Sequence, residues 1–377
     1  VFIQTKQEVM APGKEKKRRN TFFQGFGKLI IGICGIAALI SAFLCAICPF
    51  ISPSSFVWTA FFGLAFWMIF FANVIILLIL IFLKSRRTLL IPILALILSI
   101  PGLAKSYSLG EKNEDTASIK VMTYNIGVFR DYKVNSRTVT DVKKSLAKLV
   151  KEQNPDILCL QESGKWPQNR ASEFSKMIGY KYYSVNPING NSFFSKFPLE
   201  DVKGFNNETI SKYADIKKVK IDKDESFYLV NCHFNSFGIS NEEIEYINDA
   251  KNIVKDKEIY GKSVITKLTR GFKLRTKSTQ VLIDKLPDDD TPLVICGDFN
   301  DTPLSYTYNQ MSKAGLKDAF LAVSKGIGKT YCGRLPLLRI DYFWYNDNIE
   351  IVDYNRIKQT TSDHYPLLMS FNIKKGN

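Results

Sequence analysis

The sequence predicts an α/β domain preceded by a helical membrane region, and three observations carry that expectation. From Leu29 to Leu83 there is no charged residue, far more apolar sequence than the roughly 20 residues that one spanning helix needs. After residue 118, short apolar runs of strand length recur and end in polar side chains, as in 119–125, 155–162 and 294–300. Between the first two, Val142, Leu146, Leu149 and Val150 fall at helical spacing within Thr138 to Lys151, the pattern of a helix laid on a sheet.

Taken in order, residues 1–27 form a basic N-terminus and 28–104 the membrane region, with spans expected at about 29–48, 56–83 and 88–104. Pro49 and Pro53, with Ser52, Ser54 and Ser55, separate the first two spans. The third run is short and carries Pro92 and Pro101. Lys14, Lys16, Lys17, Arg18 and Arg19 precede the first span, and Lys84, Arg86 and Arg87 follow the second, so both flanks are expected on the cytoplasmic side. A cleaved signal peptide is the competing reading, but the first apolar stretch is too long for one and a second follows at once. The sequence thus reads as a multi-pass protein whose partner is the lipid bilayer; if the third run spans, everything beyond it is extracytoplasmic. Most of the net charge of +15 is topological in origin, because residues 1–106 hold 11 basic against 2 acidic side chains and the rest only 40 against 34. It is poor evidence for nucleic-acid binding.

A polar linker is expected over 105–118 and a globular domain over 119–377. Half-buried strands are expected near 181–185, 192–195, 216–221 and 227–232. A helical insert follows, its start marked by the capping-box spacing of Ser240 and Glu243 ahead of Ile244, Ile247, Ala250 and Val254. The run Lys262, Lys267, Arg270, Lys273, Arg275 and Lys277 has no acid among it; it reads as a solvated helix face, with phosphate-rich partners or anionic lipid as the alternative. Nothing marks a protein partner. The seven cysteines offer no pair at metal-ligand spacing.

The stretch Val294-Ile-Cys-Gly-Asp-Phe-Asn-Asp-Thr-Pro303 organises the rest. Its apolar start suits a buried strand, Gly297 is expected to turn the chain, and Asp298 and Asn300 then emerge at the strand's end. The chain has only two histidines, His233 and His364, and both fall at strand ends inside polar clusters. With Asn125, Glu162, Asp298, Asn300, Asp341 and Asp363 they suggest one constellation at one sheet edge. Such a set supplies what phosphoester hydrolysis needs: oxygen ligands for a hard cation, a base for water and donors for phosphate.

The ordered motifs Thr-Tyr-Asn (123–125), Leu-Gln-Glu (160–162), His233, Gly-Asp-Phe-Asn (297–300), Arg-Ile-Asp-Tyr (339–342) and Ser-Asp-His (362–364) resemble the endonuclease/exonuclease/phosphatase superfamily over roughly residues 117–373. The resemblance implies a four-layer αββα sandwich of two packed mixed sheets; the membrane region is not part of that family core. It implies Glu162 as principal Mg²⁺ ligand, with Mn²⁺ as the alternative ion and Asn125 and Asp363 beside the metal. It implies His364 paired with Asp341, Asp298 aligning or deprotonating water, and Asn300 and His233 on phosphate oxygens. Thr330 is a further implied substrate contact. Whether Asp298 or His364 is the base stays open. The implied activity is metal-dependent phosphoester hydrolysis, on nucleic acid first, or alternatively on a lipid headgroup or other small phosphoester; intact motifs argue against an inactive binding module.

Overall fold

The computed structural model describes residues 12–84, 88–113, 115–129, 138–164, 168–205, 209–238, 254–333, 337–358 and 361–374. Four helices lead the chain: α1 (Pro12–Ile47), continued by a 3₁₀ turn at Cys48–Phe50, then α2 (Trp58–Leu64), α3 (Phe66–Phe82) and α4 (Leu90–Ser106). Helices α1, α3 and α4 pack on one another. Their large apolar side chains face outward, among them Ile33, Phe43, Ile75, Leu78, Ile97 and Ile100, while Asn73 and Ser99 are buried. Asn73 donates to Ile69 O at 2.9 Å in its own helix and reaches Ala38 O of α1 at 3.5 Å, and Ser99 donates to Ala95 O at 2.8 Å. Among the described residues, only the helix over Leu29–Phe50 is long and apolar enough by itself to cross a membrane.

The expected span over 56–83 is broken. Helices α2 and α3 meet at an angle of 67°, because Ala65, at φ −86° and ψ 7°, leaves helical geometry between them. Gly63 fixes the bend: a Cβ there would lie 2.8 Å from both Cys48 Sγ and Leu304 O, so α2 is held against the globular domain while α3 departs. Hydropathy registers composition and is blind to such a break. Arg86 and Arg87 of the expected cytoplasmic turn lie outside the described residues.

Beyond α4 the chain runs β1 (Ser108–Leu109), β2 (Ile119–Asn125), α5 (Val139–Gln153), β3 (Ile157–Gln161), α6 (Gln168–Ile178), β4 (Tyr182–Val185), β5 (Ser192–Ser195), β6 (Leu199–Asp201), β7 (Ala214–Lys220) and β8 (Ser226–His233). It continues through α7 (Val254–Ile283), β9 (Leu293–Asp298), α8 (Tyr306–Lys313), β10 (Lys317–Asp318), α9 (Ala319–Val323), β11 (Lys325–Gly326), β12 (Asp341–Tyr345), β13 (Ile349–Arg356) and β14 (Leu367–Ile373). The expected linker is partly structured, since β1 pairs with β11. The capping-box stretch from Ser240 to Ala250 lies outside the described residues.

Two six-stranded mixed sheets stack, one ordered β13-β14-β2-β3-β5-β4 and the other β10-β12-β9-β8-β7-β6. Strand parity decides which side chain goes where. Val121, Ile157, Cys159 and Phe193 of the first sheet meet Leu229, Val294, Cys296 and Phe343 of the second in the central core. The alternate residues Met122, Leu158 and Phe194 pack on Val142, Leu146, Val150 and Phe174 of α5 and α6. On the far side, Val230, Ile295 and Trp344 pack on Leu282 and Met311 of α7 and α8. The expected αββα four-layer order results. Helix α5 starts where Thr138 and Asp141 cap each other reciprocally and stops at Asn154, which adopts the left-handed conformation.

Candidate active site

Extending the same parity to the strand ends places Asn125, Gln161, Asn231, His233, Asp298 and Asp341 between the sheets at one edge. In the second sheet, register sets His233 opposite Asp298 across β8 and β9, and Asp298 opposite Asp341 across β9 and β12. In the first, Asn125 stands opposite Gln161, with Glu162 directly after. Gly297 lies within β9 rather than turning the chain. Its φ of +127° and the 2.0 Å that would separate a Cβ from Cys232 O show its purpose, which is close approach of β8.

Asp298 is almost fully buried and is held by three donors: Asn300 N at 2.8 Å, Asn300 Nδ2 at 3.0 Å and Asn125 Nδ2 at 3.0 Å. Asn125 Nδ2 also reaches Glu162 Oε1 at 3.2 Å, so one amide ties the two carboxylates together. His364 Nδ1 sits 2.9 Å from Asp341 Oδ2, and its Nε2 lies 3.7 Å from Asp298 Oδ2. His233 Nε2 lies 3.4 Å from Glu162 Oε1, an ionic contact too poorly aligned to count as a hydrogen bond. Asn300 spends its second amide proton on Phe234 O at 3.0 Å.

Burial pushes the Asp298 carboxyl up to about 6, against the pull of His364. Burial works against the charged form of His364 too, yet Asp341 and Asp298 lift it well above the ordinary histidine range. His233 is raised likewise, burial being outweighed by Glu162 and Asp298. Glu162 goes the other way: burial would raise it, but His233, Asn125 and His364 hold it at about 2. Two carboxylates on one ledge therefore differ in basicity, the arrangement that separates acid–base work from ligation. Asp363 is raised by burial, and Ser362 Oγ lies 3.2 Å from its Oδ1.

Thr330 departs from the expectation of a substrate contact. It is fully buried, and its Oγ1 accepts from Ile340 N at 2.9 Å and Asp341 N at 3.1 Å, so it fixes the backbone that carries Asp341. Within the basic run of α7, Lys262, Arg270, Lys273 and Lys277 are exposed as expected, but Arg275 is buried. Its Nε faces Asp301 Oδ2 at 3.3 Å and its guanidinium covers Phe237 at 4.1 Å, bracing the loop after Asn300. Gln161 and Asn231 received no role from sequence, yet they join at 2.6 Å beneath the site and plug the gap between the sheets; their strand parity was the signal.

As for a cation, Asp298, Asp341 and His364 bring donor atoms within 4.8 Å of one another, but all three are buried, His364 is already bonded to Asp341, and Asp298 is held by Asn300 and Asn125. Glu162 fits better. Its side chain is 32% exposed and its Oε2 has no hydrogen-bond partner among the described residues. The carboxylates of Glu162 and Asp363 lie near one another, and such oxygens without thiolate suit a hard divalent ion. Asn125 departs from the expected ligand role, because its Nδ2 faces Glu162 and its Oδ1 accepts from Gly127 N at 3.1 Å.

Residues 122–364 match the family model described as the Endonuclease/Exonuclease/phosphatase family. The chain belongs to the endonuclease/exonuclease/phosphatase family. Members of this family are divalent-metal-dependent hydrolases of phosphoester bonds. Residues 27–106 match a separate model, a domain of unknown function. No curated protein matches the chain. Among solved structures, an endonuclease/exonuclease/phosphatase from Beutenbergia cavernae is 16% identical, with 68% of this chain and 72% of that chain covered at a TM-score of 0.46. The human Nocturnin catalytic domain with bound sulfate is 16% identical over 68% of this chain and 94% of that chain, at a TM-score of 0.45. The Neisseria 3′ phosphatase NExo bound to a product DNA hairpin is 16% identical over 68% and 100%, at 0.44.

Proposed function

We propose that this chain is a membrane-anchored, Mg²⁺-dependent phosphoester hydrolase whose site faces away from the cytoplasm. The observation that carries the chemistry is the chain of contacts from Glu162 through Asn125 to Asp298, and from there through His364 to Asp341. Glu162 and Asp363 would hold Mg²⁺ or Mn²⁺, with Asn125 orienting Glu162 beside it. That ion, when bound, would draw charge from a phosphate oxygen. Asp298, raised to about 6 and held by three donors, takes the proton from water as general base. His364, kept protonated by Asp341, offers positive charge at Nε2 to the phosphate, and His233 offers a second imidazole. Asn300 and Asn125 hold the base in register for that attack.

Membrane anchorage is supported by the outward-facing apolar surface of α1, α3 and α4; only 17% of the apolar window in α1 is buried. The sidedness is supported by the end of the bundle that meets the globular domain. Cys48 Sγ contacts Leu304 O at 3.0 Å and Arg339 Nη2 donates to Lys105 O at 2.8 Å, so the 48–57 turn and the end of α4 lie on the domain's side. The start of α1 at Pro12 and residue 84 then fall at the opposite end. The purified full chain, assayed in detergent with Mg²⁺ against DNA, RNA, phosphoinositides and sphingomyelin, should cleave at least one of them. Absence of cleavage of all four, with Mg²⁺ or Mn²⁺, would sink the catalytic reading. Protease added to intact cells should digest the domain, and full protection would reverse the sidedness.

A further inference from the structure

Where the bent helix pair meets the globular domain there is an apolar cavity of about 490 Å³. One wall is Leu64, Trp67 and Phe71 of the α2–α3 segment; the other is Pro303, Leu304 and Leu338. Apart from Ser106, Thr302 and the Trp67 indole, its lining carries no polar side chain. The globular wall is continuous in sequence with the catalytic residues, since Thr302–Leu304 follow Asn300 with only Asp301 between, and Leu337–Leu338 directly precede Arg339–Asp341. On the opposite side the cavity opens beside Met68, 72% exposed, and Phe71, 45% exposed. These begin the outward apolar surface that α3 continues through Ile75, Leu78 and Phe82. A polar ligand would find almost no hydrogen-bonding partners in such a lining, whereas a hydrocarbon chain entering sideways from a bilayer would exchange one apolar environment for another and keep its anchorage.

We propose that this cavity holds one hydrocarbon chain of an amphiphilic phosphoester, drawn from the membrane so that its phosphate lies at the Asp298–His364 site. The assignment rests on the phosphoester reading above and narrows it to lipid-borne substrates. It involves the α2–α3 segment, which lies outside the family's matched residues, as half of the substrate site. In the reaction tested, a water oxygen bonds to phosphorus, the bond from phosphorus to the nitrophenyl oxygen breaks, p-nitrophenolate leaves, and the water proton passes to the base.

Two measurements on the full chain in phosphatidylethanolamine–phosphatidylglycerol vesicles decide it. First, p-nitrophenyl hexadecyl phosphate is compared with p-nitrophenyl methyl phosphate, which has the same scissile bond and no chain. The long ester should be preferred by about tenfold or more in kcat/KM. Leu64→Trp, which fills the cavity, should collapse that ratio toward that of partitioning alone, while Ile97→Trp on the outer face of α4 should leave it intact. An unchanged ratio in Leu64→Trp overturns the proposal. Second, phosphatidylglycerol with a diazirine near one chain end should label Pro303–Leu304 or Leu337–Leu338, and Leu64→Trp should abolish this. Labelling confined to the outer face of α3, or adducts between two protein chains, overturns it as well. If neither ester is hydrolysed, the phosphoester reading has failed, and the labelling alone still decides whether the cavity takes a lipid chain.

Discussion

Helices α1, α3 and α4 turn their isoleucines and phenylalanines outward and keep Asn73 and Ser99 inside, whereas the sandwich buries its valines and phenylalanines and shows its lysines. The same side chains obey opposite rules in the two regions, as the proposed membrane setting of the helices would require. Within the sandwich, one end breaks its own rule: Asn125, Gln161, Asn231, Asp298 and Asp341 are all buried between the sheets. Buried polar groups are costly unless they are used. Comparing the two regions therefore separates polar burial that merely satisfies a helix from polar burial that assembles a site.

The largest effect should come from breaking the polar end of the sandwich. Glu162→Gln, Asp298→Asn and His364→Ala are each expected to lower turnover by ~10²-fold or more while the thermal melt stays cooperative. A variant that keeps near-full turnover would remove that residue from the site. Dialysis against EDTA should have a comparable effect, reversed by Mg²⁺ or Mn²⁺; activity surviving without added metal would contradict the assignment of Glu162.

The junction between the regions comes next. Arg339 is buried, pairs with Asp318 at 2.6 Å and donates to Lys105 O at the end of α4. Arg339→Ala should destabilise the globular domain by about 3–5 kcal/mol, read from the denaturant midpoint, because Asp318 is left buried without its partner.

A charge on the outward face of the helices tests the other half of the comparison. Ile97→Lys should cost about 2.5–3.5 kcal/mol of insertion and lower the membrane-extracted yield. If α4 instead faced water, the same change would raise solubility and leave yield intact.

The smallest expected effect is at Thr330. Thr330→Val leaves the amides of Ile340 and Asp341 without their acceptor, for a loss of about 1–3 kcal/mol. Because Asp341 loosens with them, kcat should fall while KM stays nearly constant. A matching rise in KM would return Thr330 to direct substrate contact.

Much of the sandwich was legible because period-two alternation dictates both the layer a residue joins and the edge its polar tip reaches. Asn125, Asp298 and Asp341 needed nothing more. Gly297 reads as a turn because the sequence does not reveal that a neighbouring strand passes where its Cβ would be. Arg275 looked like its exposed neighbours on a basic helix, and only the position of Asp301, distant in sequence, distinguishes it. The bend at Ala65 was invisible for a similar reason: the contact holding α2 comes from Leu304, across the whole globular domain. Tertiary contacts of long sequence separation are where single-sequence reasoning ends.

Glu162 and Asn300 both sit at φ +52°. Asparagine adopts this conformation readily, but for glutamate it is a strain on the order of 1–3 kcal/mol. The backbone is locked there by Val128 N on Glu162 O at 2.9 Å and Ile126 N on Gln161 O at 3.1 Å. Position 162 is thus one where thermal tolerance and turnover select for different residues. A library screened only for heat resistance would enrich glycine or asparagine at 162 and return inactive proteins, while one screened for turnover would keep glutamate and accept the lower melting point.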